Sequence, residues 1–228
     1  MQDFLTTNQT VSPPISPLWF TIMVLVLAIL TWLTVKYRDQ KWYNYLFKGL
    51  QIVQLLSLYI WYFSYQIPWS DSLPLYHCRL AMLALILLPD KWPFKQYFAL
   101  LGVSGAVFAL GYPVLDPYDF PHITAFSFIV GHYVLFVNGL SYLLRQYEKQ
   151  LLSVKRIISY TLLMNVLLVL ANQITGGNYG LLRTPPFISQ HHLIVKYLAV
   201  SFILSLALLL FDIYFKRREL TLPKQLRR

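Results

Sequence analysis

Long stretches without a charged residue constrain the fold of this 228-residue chain more than any other feature. A helix that crosses the ~30 Å hydrocarbon core of a bilayer needs about 20 predominantly apolar residues. Charge-free stretches of that length occupy residues 4–35, 49–70, 96–115, 120–144 and 157–182. Two further apolar segments, near 72–89 and 192–212, each contain one basic residue, Arg79 and Lys196. The sequence therefore predicts an all-α, polytopic membrane protein, a bundle of seven transmembrane helices.

The expected spans are approximately 18–35, 47–66, 73–89, 95–112, 123–144, 156–175 and 192–213. The connections between them are short, so residues 1–228 are expected to form a single integral membrane domain. The third span is the shortest, and a re-entrant or interfacial helix is the main alternative there. Asp3 is the only charge before the first span, which therefore lacks the basic flank of a cleaved signal peptide and is expected to stay in the mature protein.

Basic residues alternate along the chain with the expected spans. Sixteen of the 19 lysines and arginines fall on one side of a seven-span arrangement: Lys36, Arg38, Lys41, Lys48, Lys91, Lys95, Arg145, Lys149, Lys155, Arg156, Lys216, Arg217, Arg218, Lys224, Arg227 and Arg228. Such residues mark cytoplasmic connections. We therefore expect an outside N-terminus, a cytoplasmic C-terminus and a multi-pass protein of the cell membrane.

The composition excludes several other classes of protein. With 57% hydrophobic and 12% charged residues the chain is too apolar to be disordered. A single cysteine, Cys78, rules out an internal disulfide scaffold. The net charge of +10 is explained by the cytoplasmic connections, so no nucleic-acid partner is expected.

The chemically capable side chains fall in the outer half of this arrangement. They are Cys78 and the five histidines, His77, His122, His132, His191 and His192. Ser72 is expected to cap a helix with Pro74 in its first turn, which puts Cys78 about one turn in, where a helix N-terminus favours a thiolate. The alternative for Cys78 is a small buried apolar residue.

Arg79 and His132 each have a functional and a structural interpretation. Arg79 lies where it can meet a phosphate or carboxylate at headgroup level, or it is an anchor that snorkels to the interface. His132 lies about nine residues into the fifth span, which suggests a general base within the membrane. The alternative for His132 is a histidine hydrogen-bonded to another span.

Other polar residues in the spans fit helix packing. Asn165 and Asn172 share one face of the sixth span and are expected to bond between helices, and the pair Ser201 and Ser205 is read as packing. His191 and His192 are adjacent and lack complementary ligands at metal-site spacing, so no metal is expected.

Three segments resemble the YwaF-like bacterial membrane proteins, which are related to the eukaryotic transmembrane protein 164 family. They are 73-LPLYHCRL-80, 120-FPHITAFSFIVGH-132 and 172-NQITGGNYGLLRTPP-186. The resemblance implies a thiol-dependent acyltransferase that acts on membrane lipids, with a cysteine nucleophile and a histidine within the membrane. The matching positions here are Cys78 and His132.

This resemblance predicts a lipid acyltransferase that needs no cofactor. The outer positions of Cys78 and the histidines indicate a site that opens toward the outer leaflet. Candidate substrate-binding residues are Arg79, His77, His122, Asn172, Asn178 and Arg183. Because Cys78 is expected to be shallow and His132 deeper, His77 and His122 are fallback bases. The alternative is a non-catalytic protein, a transporter or a binder of lipids or small molecules, in which Cys78 is inert and the polar residues form a pathway. The oligomeric state stays open.

Overall fold

The computed structural model describes residues 3–185, 188 and 191–221, and this part of the chain is helical with no strand. Its helices are α1 (Pro17–Tyr37), α2 (Lys41–Ser64), α3 (Trp69–Ser72), α4 (His77–Leu87), α5 (Pro93–Gly111), α6 (Ile123–Gln146), α7 (Val154–Thr175) and α8 (Leu193–Thr221). Pro186, which ends the third resembling segment, and the tail residues Lys224, Arg227 and Arg228 lie outside the described residues.

Six of these helices, α1, α2, α5, α6, α7 and α8, are long and apolar enough to cross a membrane. Their bounds match six of the seven expected spans to within a few residues, except that α2 begins earlier and α8 ends later than expected. Large apolar side chains on them are exposed, for example Phe63 at 77% and Phe202 at 68%, as expected for surfaces in contact with lipid. The prediction of an all-helical, multi-pass membrane protein is confirmed.

The prediction of a continuous helix over 73–89 is wrong. The helix in this region, α4, has 11 residues and is about 16 Å long at ~1.5 Å per residue. Ser72 ends α3 instead of capping α4, and its hydroxyl donates to the Pro68 carbonyl at 3.0 Å. Leu73 is extended, with φ −71° and ψ 149°, because the following Pro74 disfavours helical backbone at the residue before it. Tyr76 then becomes the N-cap residue of α4.

Local sequence signals fix the ends of other helices. Ser16 caps α1 by accepting a hydrogen bond from the Trp19 amide at 3.2 Å, and Pro17 follows at the first helical position. Ser153 caps α7 in the same way, at 3.3 Å from the Arg156 amide. Gly176 ends α7 in the left-handed conformation, with φ +75°, the usual glycine stop signal.

The chain forms two compact units. The first unit comprises residues 1–67 and 105–145, and the second comprises residues 68–104 and 146–228. In the first unit, α1 meets α2 through the buried hydroxyl pair Thr34 and Tyr43, 2.9 Å apart. In the second unit, α5 meets α7 through Tyr97 and Thr161, also 2.9 Å apart. Each hydrogen bond satisfies polar groups that lipid could not satisfy.

Candidate functional site

The first turn of α4 presents three polar or reactive side chains in succession: His77, Cys78 and Arg79. Cys78 is a free, half-buried thiol at the second helical position. It is thus nearer the helix N-terminus than the sequence predicted, because α4 begins at His77 and not near Ser72. Backbone amides of a first turn lack partners within the helix and carry a partial positive charge, which favours a thiolate.

His77 is held by a hydrogen-bonded chain that reaches two other helices. Its Nε2 lies 2.8 Å from Oδ1 of the buried Asn165 in α7, and Nδ2 of Asn165 donates to Oγ of Ser201 in α8 at 2.9 Å. Since the amide oxygen can only accept, Nε2 of His77 carries the proton and Nδ1 is the acceptor nitrogen of the neutral ring. The expected interhelical bond of Asn165 is confirmed, but its contact with His77 was not predicted.

The segment after α7 packs against the turn that leads into α4. The Tyr179 hydroxyl donates to the Trp69 carbonyl and accepts from the Leu73 amide at 3.0 Å. Gly180 has φ +67°, and a Cβ there would lie 2.8 Å from Cε1 of His77. A side chain at 180 would therefore collide with the His77 ring, so glycine is needed for both the backbone and the packing.

Asn172, predicted to bind substrate, clamps this segment. Its Nδ2 donates to the Tyr179 carbonyl at 2.9 Å, and its Oδ1 accepts from the Tyr179 amide at 2.7 Å. Because both amide groups bond to the backbone, Asn172 fixes the position of Tyr179 and, through it, the turn before α4. The expectation that Asn172 bonds to another helix is not met, since its partner is the segment 176–183.

Asn178 and Arg183 also build the segment that follows α7. Oδ1 of Asn178 accepts from the amides of Arg183 and Thr184, each at 3.0 Å, and its Nδ2 donates to Oγ1 of Thr184 at 2.6 Å. The exposed Arg183 donates from its guanidinium to the Gly176 carbonyl. Arg183, Asn172 and Gly176 line a small pocket of about 120 Å³ at this end of α7.

Arg79 stacks on a neighbouring aromatic ring. Its guanidinium carbon lies 4.7 Å from the centre of the Tyr76 ring, and its Nη1 reaches the Asp71 carbonyl at 3.5 Å. This cation–π contact holds the guanidinium beside the start of α4. The same ring of Tyr76 packs edge-on against Tyr179 at 5.0 Å, which links Arg79 to the segment after α7.

His132 is the tenth residue of α6 and belongs to the first unit, whereas Cys78 belongs to the second. The side chain is buried, and its Nδ1 lies 2.7 Å from the Phe128 carbonyl one turn earlier. A carbonyl oxygen accepts only, so Nδ1 carries the proton and Nε2 is the basic nitrogen of the neutral ring. His132 thus lies near the middle of α6, one of the helices that are long and apolar enough to cross a membrane.

His122 is buried in the first unit, and both of its ring nitrogens have protein partners. Nδ1 lies 2.9 Å from the Thr124 hydroxyl and Nε2 lies 3.0 Å from the Thr6 carbonyl. The ring stacks on Tyr118, with centres 4.1 Å apart, and meets the edge of Trp61. His122 therefore fastens the N-terminal segment to the start of α6.

A polar chain within the first unit was missed at the sequence level. Gln51 donates from Nε2 to Oε1 of Gln54 at 2.8 Å, and Gln54 donates from Nε2 to Oγ of Ser127 in α6 at 2.5 Å. All three side chains are buried, and they lie in the charge-free stretches 49–70 and 120–144. The signal was present in the sequence, because two glutamines three residues apart in an apolar helix share a face and need partners.

No group of three or more histidine, cysteine, aspartate or glutamate side chains suited to a metal ion occurs within the described residues. His191 and His192 are both exposed there.

The model of the TMEM164 family matches residues 4–214. The chain belongs to the TMEM164 family. The match covers the six long helices up to residue 214 and includes Cys78, His77 and His132, so the resemblance drawn from three short segments is confirmed for this family. Neither the curated proteins nor the solved structures contain a significant match to this TMEM164 family member.

Proposed function

We propose that this TMEM164 family member is a thiol-dependent acyltransferase that acts on membrane lipids within the cell membrane. The observation that carries the proposal is the position of Cys78 in the first turn of a short helix, next to a histidine whose ring is fixed by Asn165. A half-buried thiol in a chain of membrane-spanning helices meets esters of lipids rather than soluble substrates. The thiol needs a base that takes its proton, because its burial opposes the charge of a thiolate.

The reaction runs in two steps with a covalent intermediate. The Cys78 thiol gives its proton to an imidazole, and the sulfur attacks the ester carbonyl of a donor lipid. The tetrahedral intermediate expels the alkoxide, which takes the proton from the imidazolium and leaves as the lyso-lipid. The hydroxyl of an acceptor lipid then gives its proton to the imidazole and attacks the thioester. The thiolate leaves and recovers the proton, so the enzyme returns to its starting state.

His132 is the proposed base, because its Nδ1 is committed to the Phe128 carbonyl and its Nε2 is therefore the basic nitrogen. His77 is the fallback base, since Asn165 orients its ring in the same manner with Nδ1 as the basic nitrogen. His122 is a weaker choice because both its nitrogens bond to the protein. The two leading bases differ in the ring nitrogen that takes the proton.

The remaining predicted site residues receive supporting roles. Arg79 and Arg183 are the proposed cations for the lipid phosphate, and Arg183 lines the small pocket at the end of α7. Asn172 and Asn178 are proposed to hold the pocket wall, because their amides are bonded to the backbone of the segment after α7. Backbone amides at the start of α4 are the proposed donors to the oxyanion.

Residues 73–88 are proposed to cross the membrane as a third, broken span. The non-helical residues 73–76, of which Leu73 and Tyr76 are extended, lengthen the segment beyond the ~16 Å of α4 toward the ~30 Å of a bilayer core. Extended backbone at that depth needs protein partners, and the Leu73 amide has the Tyr179 hydroxyl while Pro74 has no N–H. This crossing restores seven spans, with the N-terminus outside and the basic connections in the cytoplasm.

Intact-protein mass spectrometry tests the chemistry. The full chain is reconstituted in nanodiscs of phosphatidylcholine with isotope-labelled acyl chains. The wild type should gain one labelled acyl group that hydroxylamine removes. Cys78→Ser should gain none and lose at least about 10³-fold of acyl exchange, because the nucleophile is absent. His132→Gln should lose about 10²–10⁴-fold, as expected for a general base, and a smaller loss there than in His77→Gln makes His77 the base.

A relocated thiol is the matched control. Ser57 is exposed on α2, so Cys78→Ser combined with Ser57→Cys keeps one thiol on the lipid-facing surface. Acyl label on that variant would mean that any thiol in the membrane reacts, and the proposal would fail. Full exchange activity in Cys78→Ser would leave the non-catalytic alternative, a lipid-binding protein or transporter.

A further inference from the structure

An apolar cleft of about 270 Å³ lies among α4, α5 and α7 of the second unit. Leu75 and Leu80 line one part of it, and Phe94 lines it from α5. The described residues that line it include no charged side chain. Such a surface favours an apolar ligand, because it offers no charged partner to offset the loss of water around a polar one.

The lining of the cleft extends along α7. Tyr160, Leu163, Met164, Leu167 and Leu168 contribute to it with the spacing of a single helix face. Eight residues separate Tyr160 from Leu168, which is about 12 Å along the helix at ~1.5 Å per residue. Since α7 is long and apolar enough to span a membrane, this line of residues follows the direction in which lipid chains would run.

Three aromatic rings, Phe94, Tyr97 and Tyr160, line the cleft at the end where α7 begins. Phe94 and Tyr160 stack with ring centres 4.5 Å apart, and Tyr97 meets Tyr160 edge-on at 5.6 Å. The buried Tyr97 is itself held by the Thr161 hydroxyl at 2.9 Å. Because these rings are held by their neighbours, they would limit how far an apolar ligand can extend along the cleft.

The opposite end leads to the candidate site. Leu75 and Leu80 flank His77 and Cys78 in the sequence at the start of α4. A Cβ placed on Gly180 would lie 2.9 Å from Cδ1 of Leu168 and 2.8 Å from Cε1 of His77, so the cleft residue Leu168 and the His77 ring pack on either side of the same glycine. The apolar cleft and the first turn of α4 are therefore neighbouring parts of one surface.

We infer that this cleft binds one acyl chain of a membrane phospholipid, with the ester end toward Cys78 and the methyl end against Phe94 and Tyr160. The inference rests on the proposed function for its orientation, since the ester must reach the thiol. It assigns Tyr160 as a determinant of acyl-chain length. The occupant is a lipid chain because the cleft is apolar, is open on one side and runs parallel to a membrane-spanning helix.

Photocrosslinking tests binding without the thiol chemistry. Cys78→Ser protein in nanodiscs is given phosphatidylcholine with a diazirine at mid-chain, and adducts are mapped by mass spectrometry. Adducts should concentrate on Leu163 and Leu167. Leu167→Trp should fill the cleft and reduce them at least about tenfold, the discrimination that one or two methylenes commonly bring in an apolar pocket.

Val166→Trp is the matched control, because Val166 is also exposed, at 41% against 58% for Leu167, and does not line the cleft. It should leave the adducts on Leu163 unchanged. Equal labelling around α7, or equal loss in both variants, would show only a general lipid shell and would overturn the inference. In protein that retains Cys78, Tyr160→Ala should shift the distribution of bound or transferred acyl chains toward greater length. An unchanged distribution of chain lengths would contradict the assignment of Tyr160.

The two proposals fail separately. Specific labelling in Cys78→Ser without any acyl group on the wild type would uphold the cleft and refute the acyltransferase. An acyl group on Cys78 with uniform labelling would uphold the acyltransferase and refute the cleft as the chain site.

Discussion

Gly180→Ala is expected to destabilise the second unit through two separable effects. The left-handed backbone at φ +67° costs an L-residue about 1–2 kcal/mol. A new Cβ at 2.8 Å from Cε1 of His77 and 2.9 Å from Cδ1 of Leu168 adds an overpacking cost of about 1–3 kcal/mol. Together they predict a loss of about 2–5 kcal/mol in the free energy of unfolding.

Two other glycines separate these effects. Gly176 has φ +75°, but a Cβ there meets only Nη1 of Arg183, at 3.8 Å, so Gly176→Ala should cost about 1–2 kcal/mol from the backbone alone. Gly49 lies within α2 with nothing within 4 Å of a Cβ, so Gly49→Ala should stabilise by up to about 1 kcal/mol.

The assay is thermal and denaturant unfolding of the three full-length variants in one detergent, followed by tryptophan fluorescence and circular dichroism. The expected order of stability is Gly49→Ala, wild type, Gly176→Ala and then Gly180→Ala. A Gly180→Ala variant as stable as Gly176→Ala would contradict the close approach of His77 and Leu168 to Gly180. It would also remove the packing link between the cleft and the first turn of α4.

Three further outcomes follow from buried polar contacts. Asn165→Leu should lower the free energy of unfolding by about 1–3 kcal/mol, because it leaves the half-buried His77 ring without this partner, and a normal melting temperature would contradict the hydrogen bond. Asp212→Asn should cost about 1.5–3 kcal/mol, because the buried carboxylate accepts from Tyr147 and pairs with Lys216, and denaturant unfolding measures it. Burial lowers the pKa of His122, against the opposing Thr6 carbonyl and Asp116, so its folded pKa lies below its ordinary value of 6.5. The stability it contributes is therefore full above pH 6.5 and is lost as the pH falls, and His122→Gln should flatten the melting temperature measured across that range.

The apolar segment 73–89 is the part of the fold that the sequence predicted least well, because it is helical only over His77–Leu87. The apolar run predicted a helix from residue 73, since composition alone does not distinguish helical from extended backbone in a short segment. Pro74 was a local warning, because it disfavours helix at Leu73. The stabilising partner of the extended residues, the Tyr179 hydroxyl, lies more than 100 residues away in the chain, and no local signal predicts it.

The sequence identified candidate site residues but not the contacts that hold them. Cys78, His132 and the histidine beside the cysteine were identified because reactive residues are few in an apolar chain. The backbone roles of Asn172 and Asn178 could not be foreseen, because an amide that binds substrate and one that holds a loop look alike in sequence. The partner of His77 depends on which faces of α7 and α4 meet, which only packing decides.

The amino-acid sequence by itself determined the class of the protein, six of its long helices and its family, because the need to bury backbone polar groups in lipid leaves a clear pattern of apolar runs. The tertiary structure alone decided where α4 begins, how His77 is held and where the apolar cleft lies. Those features depend on contacts between residues that are distant in the sequence, and the local sequence around each residue does not specify its distant partner.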